Sequence, residues 1–198
     1  MEVGALSKMT YFDIVSNGLG GSIPSQLGTM TMLDHLLLGS NALIGSIPAE
    51  MGSMSALRRL DLSFNALVGP LPTEIGLLTI LDLVKLQFNS LTGTIPSEVG
   101  LLTKLTVLDM SKNSVSGTIP SEVGSLTALT WLWLFENDVT GSIPTEVESL
   151  TALNALYLYT TTLTGTMPSG VCEVVLPVID CSKIVCDCCL GPQYQQCP

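Results

Sequence analysis

The chain has 198 residues, of which 46% are hydrophobic and only 12% charged, so it can bury a continuous core. Its formal charge of −10 and pI near 4.2 argue against nucleic acid as a partner, because phosphates would be repelled. No apolar run approaches the roughly 18 residues of a membrane span, and the mean hydropathy of +0.52 reflects spaced leucines instead.

A fixed 24-residue period, free of insertions, organises the sequence. Proline falls at 24, 48, 72, 96, 120, 144 and 168, with glycine three residues before each. Asparagine stands seven before the proline at 17, 41, 65, 89, 113 and 137, and Thr161 breaks that column in the last copy. Such a period marks a stacked-repeat protein in which each unit touches its neighbours and function lies on a surface.

At the amino-terminal end, Glu2-Val3-Gly4-Ala5-Leu6 matches Glu98-Val99-Gly100-Leu101-Leu102, so residues 1–8 are a partial repeat. No secretion signal or capping segment opens the chain, which is expected to be the carboxy-terminal part of a longer protein. A bare first coil would expose Met9, Phe12 and Ile14.

Residues 9–176 make seven full repeats, each with two halves. The first reads Leu-x-x-Leu-x-Leu-x-x-Asn, as in Leu57, Leu60, Leu62 and Asn65, and its alternation predicts a short strand with one buried face. The Asn is expected to turn inward and satisfy backbone groups of the turning chain. The Gly four residues later suits either positive φ or a close backbone approach. Ile-Pro then biases the chain toward extended geometry, and the remainder predicts a short helical or 3₁₀ return.

This consensus resembles the plant-type leucine-rich repeat of receptor-kinase ectodomains and polygalacturonase-inhibiting proteins. Leu71, Met167, Pro70, Glu148 and Thr161 are its few departures. The resemblance implies an α/β solenoid: a right-handed superhelix with a concave parallel β-sheet, a second shorter run of strands around Gly-x-Ile-Pro, and a convex side of short 3₁₀ or helical turns. Fold alone names no ligand.

All six cysteines fall late: Cys172, Cys181, Cys186, Cys188, Cys189 and Cys197. They predict a disulfide-closed cap over 177–198, which Cys172 joins, and hence an oxidising, secreted or cell-surface setting. Bridges between Cys188 and Cys189, or Cys186 and Cys188, would be strained; connectivity otherwise stays open. Zinc is the rival reading of Cys186 and Cys189, but no second well-spaced Cys/His pair accompanies them. The tail is similar to cysteine-rich ends of leucine-rich repeat proteins of diatom-like algae.

Alternation places residues six, four and two before each Asn on the concave face. Five of the ten aromatic residues collect there on two adjacent strands: Trp131, Trp133 and Phe135, then Tyr157 and Tyr159. Trp133 should stand beside Tyr157 and Phe135 beside Tyr159. Exposed aromatic surface marks interaction sites, so this patch, with Lys85 and Asp109 from the polar columns, is the candidate ligand-binding site. The competing reading is cross-strand aromatic packing that stiffens the sheet.

Catalysis finds little support. Asp13, Asp61 and Asp109 share a column two repeats apart, roughly 10 Å by strand spacing. His35 has only Ser63 as a loose serine partner. Neither cofactor nor metal site is expected. The column Glu50, Glu74, Glu98, Glu122 and Glu146 reads as a solubilising stripe, or at low affinity a divalent-cation site.

The expectation is therefore a non-enzymatic extracellular recognition module for a protein, peptide or glycan, of the kind that forms part of a receptor ectodomain. The alternatives are a secreted inhibitor of a wall-degrading enzyme and, using the Ser/Thr positions beside the Glu column, a protein adsorbing to ice or mineral.

Overall fold

Leucines at fixed intervals decide the winding. Leu33, Leu57, Leu81, Leu105 and Leu129 open successive coils and are all fully buried, as are Leu36, Leu60, Leu62 and Leu86 from the strands that follow. Each such side chain contributes about 1.5–3 kcal/mol only when covered, and one coil cannot cover its own. Stacking the next coil does so. The computed structural model of the protein, which describes residues 8–171, 176–178 and 184–185, is accordingly a right-handed solenoid with one core running along its axis.

The concave sheet is parallel throughout. Its strands are Tyr11–Asp13, His35–Leu37, Arg59–Asp61, Leu83–Lys85, Val107–Asp109, Trp131–Trp133 and Ala155–Tyr157, in sequence order. Leu176–Val178 adds an eighth strand beside Ala155–Tyr157, across the point at which repeats were expected to give way to a cap. The six cysteines, with the disulfides and the zinc alternative assigned to them, lie outside the described residues, as does most of the partial repeat at 1–8.

A second set of strands follows each Asn: Gly20–Ser22, Ala42–Gly45, Ala66–Gly69 and Ser90–Leu91 form one sheet, and Ser116–Gly117, Asp138–Gly141 and Thr162–Leu163 another. A Thr94–Ser116 bridge links the two runs. Among the described residues the convex side carries six five-residue 3₁₀ turns, from Ser25–Thr29 to Thr145–Ser149. Proline starts each one: its ring holds φ near the extended value (−67° at Pro72) while its carbonyl accepts from Ile75 N–H three residues on (3.1 Å).

The Asn column behaves as the sequence requires. Asn89 Oδ1 accepts from Leu67 N–H of the preceding coil (3.0 Å), while Nδ2 donates to Leu62 O, also there, and to Leu86 O of its own coil (3.0 Å each). Asn65, Asn113 and Asn137 repeat the pattern. Thr161, with one hydroxyl proton, donates to Leu158 O (2.7 Å) within its own coil.

The structure separates two uses of glycine. Gly69 sits at φ +78°, and a Cβ there would meet Ser46 at an ordinary 3.6 Å, so conformation requires it. Gly100 has no such φ; a Cβ there would stand 2.5 Å from Glu122 O of the next coil, so space requires it. At the last junction the pair is reversed. Glu148 occupies the glycine column and Gly170 the glutamate column, and Gly170 N–H donates to Glu148 Oε1 (2.9 Å).

Replacing Asn89 with Ala strands one amide and two carbonyls in a part-buried seam and should cost about 3 kcal/mol or more. Asn17→Ala removes an exposed amide that donates to Val15 O and should cost less than about 1 kcal/mol. Denaturant titration checks the pair; equal losses would show that the Asn column does not stitch the coils.

Candidate functional site

In the strand Trp131–Trp133, Leu132 points inward at 1% exposure, so its two neighbours must point to the concave side. Register places Trp133 between Asp109 and Tyr157, and Trp131 between Val107 and Ala155. The rings stack in order. Trp131 lies 5.5 Å from Trp133 at 8°, and Trp133 lies 5.7 Å from Tyr157 at 14°. Phe135 lies 4.6 Å from Tyr159 at 12° and meets Tyr157 at a tilt. The expected neighbours are thus brought together as one surface. Trp131 is 44% exposed and the other four rings are half-buried.

One group in this surface is poorly satisfied. Trp133 Nε1 is buried without a hydrogen-bond partner, and two strands away Gln87 Oε1 is in the same state. Both are costly as they stand. Burial, followed by the Glu136 charge, pushes the Tyr159 phenol above its ordinary range, with Lys112 acting in the opposite sense.

Lys85 and Asp109 stand side by side on adjacent strands, but they are not equivalent. Lys85 is half-buried and faces the concave side. Asp109 is only 2% exposed, and its Oδ1 accepts from the Ser111 hydroxyl (2.6 Å) and N–H (3.0 Å). Asp61 and Ser63 make the same pair of bonds at the same distances. At Asp61 and Asp109 the aspartate column therefore acts as a turn-forming device at the strand ends. Burial pushes the Asp109 carboxyl up; the Ser111 bonds and Lys85 oppose this, and Asp61 adds to it.

His35 Nδ1 lies 3.3 Å from Asp34 Oδ2, and its ring packs on Tyr11 at 5.0 Å. Ser63, its loose serine partner in the sequence, gives its proton to Asp61. The hydroxyls beside the Glu column turn toward the adjoining carboxylates: Thr73 to Glu74 (3.3 Å), Ser97 to Glu98 and Ser121 to Glu122 (3.2 Å each), and Thr145 to Glu146 (3.4 Å). Among the described residues, no three His, Cys, Asp or Glu side chains gather to hold a metal ion. No helix there is long and apolar enough to cross a membrane.

Sequence reasoning missed a ridge beside the patch. The residue before each Asn adopts positive φ, from 51° at Glu136 to 59° at Ser16. In this column Phe64 and Phe88 stack at 4.3 Å, Lys112 Nζ lies 4.8 Å over the Phe88 ring, and Glu136 pairs with Lys112 at 3.0 Å. The 24-residue spacing of the two phenylalanines was the available signal. At the opposite end of the sheet, Phe12, Ile14, Leu19 and Leu38 help line an apolar pocket of about 440 Å³. Met9, Phe12 and Ile14 are partly buried against the core there.

The family model described as Leucine Rich Repeat matches residues 56–78 and 104–126. Among solved structures, the plant peptide hormone receptor RGFR1 in complex with RGF2 is 32% identical, with a TM-score of 0.87 over 93% of this chain and 30% of that one. The BIR3–SERK2 complex from Arabidopsis thaliana is 36% identical over 64% of this chain and 67% of that one, with a TM-score of 0.58. This chain belongs to the leucine-rich repeat family. It is also similar in fold to a plant ice-binding protein, with 25% identity and a TM-score of 0.59 over 85% of this chain and 69% of that one. No curated protein matches it. The leucine-rich repeat chain thus spans less than a third of the length of the RGFR1 chain.

Because folding raises the Asp109 pKa above 3.8, the ionised carboxylate is disfavoured in the folded repeat array. Its protonated form is the better accommodated one, so stability from this residue is complete below about pH 3.8 and falls as pH rises through the higher folded-state pKa. Asp109→Asn keeps an acceptor for Ser111 and should therefore stabilise the protein at pH 7, the gain vanishing in acid. Denaturation midpoints of both proteins across pH test the sign; a neutral-pH loss would overturn it.

Proposed function

We propose that this protein is an extracellular, non-enzymatic recognition module whose concave aromatic patch binds a peptide or a peptide segment of a protein. The observation that carries the reading is the continuous surface of Trp131, Trp133, Phe135, Tyr157 and Tyr159 on adjoining strands. Its area and rigidity suit anchoring, since two-torsion aromatic side chains lose little entropy on binding. Several of the most similar chains are plant receptor ectodomains solved with peptide ligands, RGFR1 with RGF2 and HAESA with an IDA peptide hormone among them. That supports a peptide over a glycan.

The unpaired Trp133 Nε1 and Gln87 Oε1 support the same choice. They stand on columns about 10 Å apart by strand spacing. A peptide lying across the strands offers carbonyls and N–H groups at such intervals, and small side-chain rotations would let it pair with both. Lys85 supplies a cation at the rim for an acidic residue or a terminal carboxylate. Asp109 acts from beneath, holding Ser111 and flanking Trp133. In this reading the six cysteines close the carboxy-terminal end with disulfides, as an oxidising setting allows.

Capture from an extracellular peptide and protein extract tests the reading. The full chain is compared with a folded Trp131→Ser, Trp133→Ser, Tyr157→Ser variant. The expected result is a peptide-containing partner whose retention falls at least about 100-fold in the variant, since losing two or three anchors costs several kcal/mol. Equal retention by both proteins would sink the assignment to this patch.

A further inference from the structure

The lateral face of the solenoid, which neither the concave patch nor the acidic convex side uses, carries an inference of its own. It consists of the residues one, three and five after each Asn, where the second set of strands turns side chains outward. Seven repeats contribute three positions each, nearly all exposed, and Asp138 is the sole ionisable side chain among them. An ordinary soluble surface would place charge at roughly a quarter of such positions. On a chain of net charge −10, the charge has been kept off this face.

What replaces charge is a grid of hydroxyls. From Ser90 to Thr166 every position of the three columns except Asp138 is Ser or Thr. Parallel register sets them in short rows: Thr140 stands opposite Thr162 on adjacent strands, and Thr94 is bridged to Ser116, whose other neighbour in the row is Asp138. Neighbours within a row are about 4.8 Å apart, and along a strand about 6.7 Å. Several hydroxyls are tethered to the preceding coil: Thr162 donates to Val139 O (2.8 Å), Ser116 to Gly93 O (3.2 Å) and Thr164 to Gly141 O (3.5 Å). Their outward lone pairs and methyl groups are therefore held in place before anything binds.

We propose that this Ser/Thr face binds the ordered water lattice of an ice surface. Water in a tetrahedral network at O···O contacts near 2.8 Å places its second neighbours about 4.6 Å apart. A register row takes in at most three strands of this face, and over that span the mismatch with the 4.8 Å spacing stays below about 0.5 Å, within the reach of side-chain torsions. A surface with a single carboxylate, Asp138, in 21 positions comes close to matching a neutral lattice, and each further charge would weaken the match. Other uncharged occupants fit less well. A crystalline polysaccharide calls for aromatic platforms, and a protein partner for Trp, Tyr or Arg anchors; the columns hold neither.

The test is partition of the fluorescently labelled full chain into a slowly growing ice front, with crystalline cellulose as a second solid. Thr92→Lys and Thr140→Lys introduce a charge at exposed positions of the face and leave the core intact. The expected result is incorporation of the wild-type chain into ice and at least about a tenfold fall for each lysine variant, the cost of desolvating one ammonium. Trp131→Ser, on the concave side, should be incorporated like the wild type, so this outcome and that of the peptide capture are independent. Exclusion of the wild type from ice overturns the proposal. So does incorporation insensitive to both lysines, and so does retention on cellulose with exclusion from ice.

Discussion

One side-chain amide per coil carries the architecture. A short parallel strand supplies hydrogen bonds along the concave side, but where the chain turns out of that strand its amides and carbonyls need other partners, in a place closed to water. The Asn column meets that need by bonding across the seam, as Asn137 does with Val115 N–H and Met110 O behind it and Leu134 O in its own coil. An amide has two protons and an acceptor and can address both coils. A leucine there would cover area and leave three polar groups orphaned. The period stays constant from coil to coil because the donor and acceptor positions of successive coils must coincide.

That constraint explains why the fold was so legible. Proline, glycine and asparagine each recur where the backbone allows few substitutes, and the structure assigns each a local reason: an extended start to a 3₁₀ turn, positive φ at Gly69, a bridging amide at Asn89. The neighbours in the aromatic patch were legible for the same cause. Once the period is fixed, strand spacing alone puts Trp133 beside Tyr157.

The features that escaped are those that alternation does not govern. Phe64 and Phe88 sit after the strand at positive φ, an unusual place for bulky side chains, so a reading based on strand faces gives them no direction. Asp109 does lie on the expected side, yet the bonds to Ser111 fold its carboxylate back onto the strand end, and burial depends on that local turn and on the size of its neighbours. The eighth strand, Leu176–Val178, follows Ala155–Tyr157 by 21 residues instead of 24, so the repeat pattern itself hides it. The Glu148 and Gly170 exchange shows how such an ending is accommodated: large and small residues trade places across the junction, preserving the close approach.

A repeat array also uncouples its surfaces. Each position in the period maps onto one face along the whole length, so a face can change its chemistry without disturbing the others. Here the glutamates occupy the convex turns, where their repulsion is relaxed by solvent, and the lateral columns are left almost free of charge. The aromatic patch spans only two strands, Trp131–Trp133 and Ala155–Tyr157, and interrupts a concave face of otherwise mixed chemistry. It coincides with the coil in which Thr161 replaces the bridging Asn. A threonine hydroxyl has a single proton to donate where the amide has two, so it cannot donate to both of the carbonyls that the amide serves. The array thus departs from its asparagine column beside the surface on which the most aromatic area is spent, and rule-breaking positions of this kind concentrate near functional surfaces.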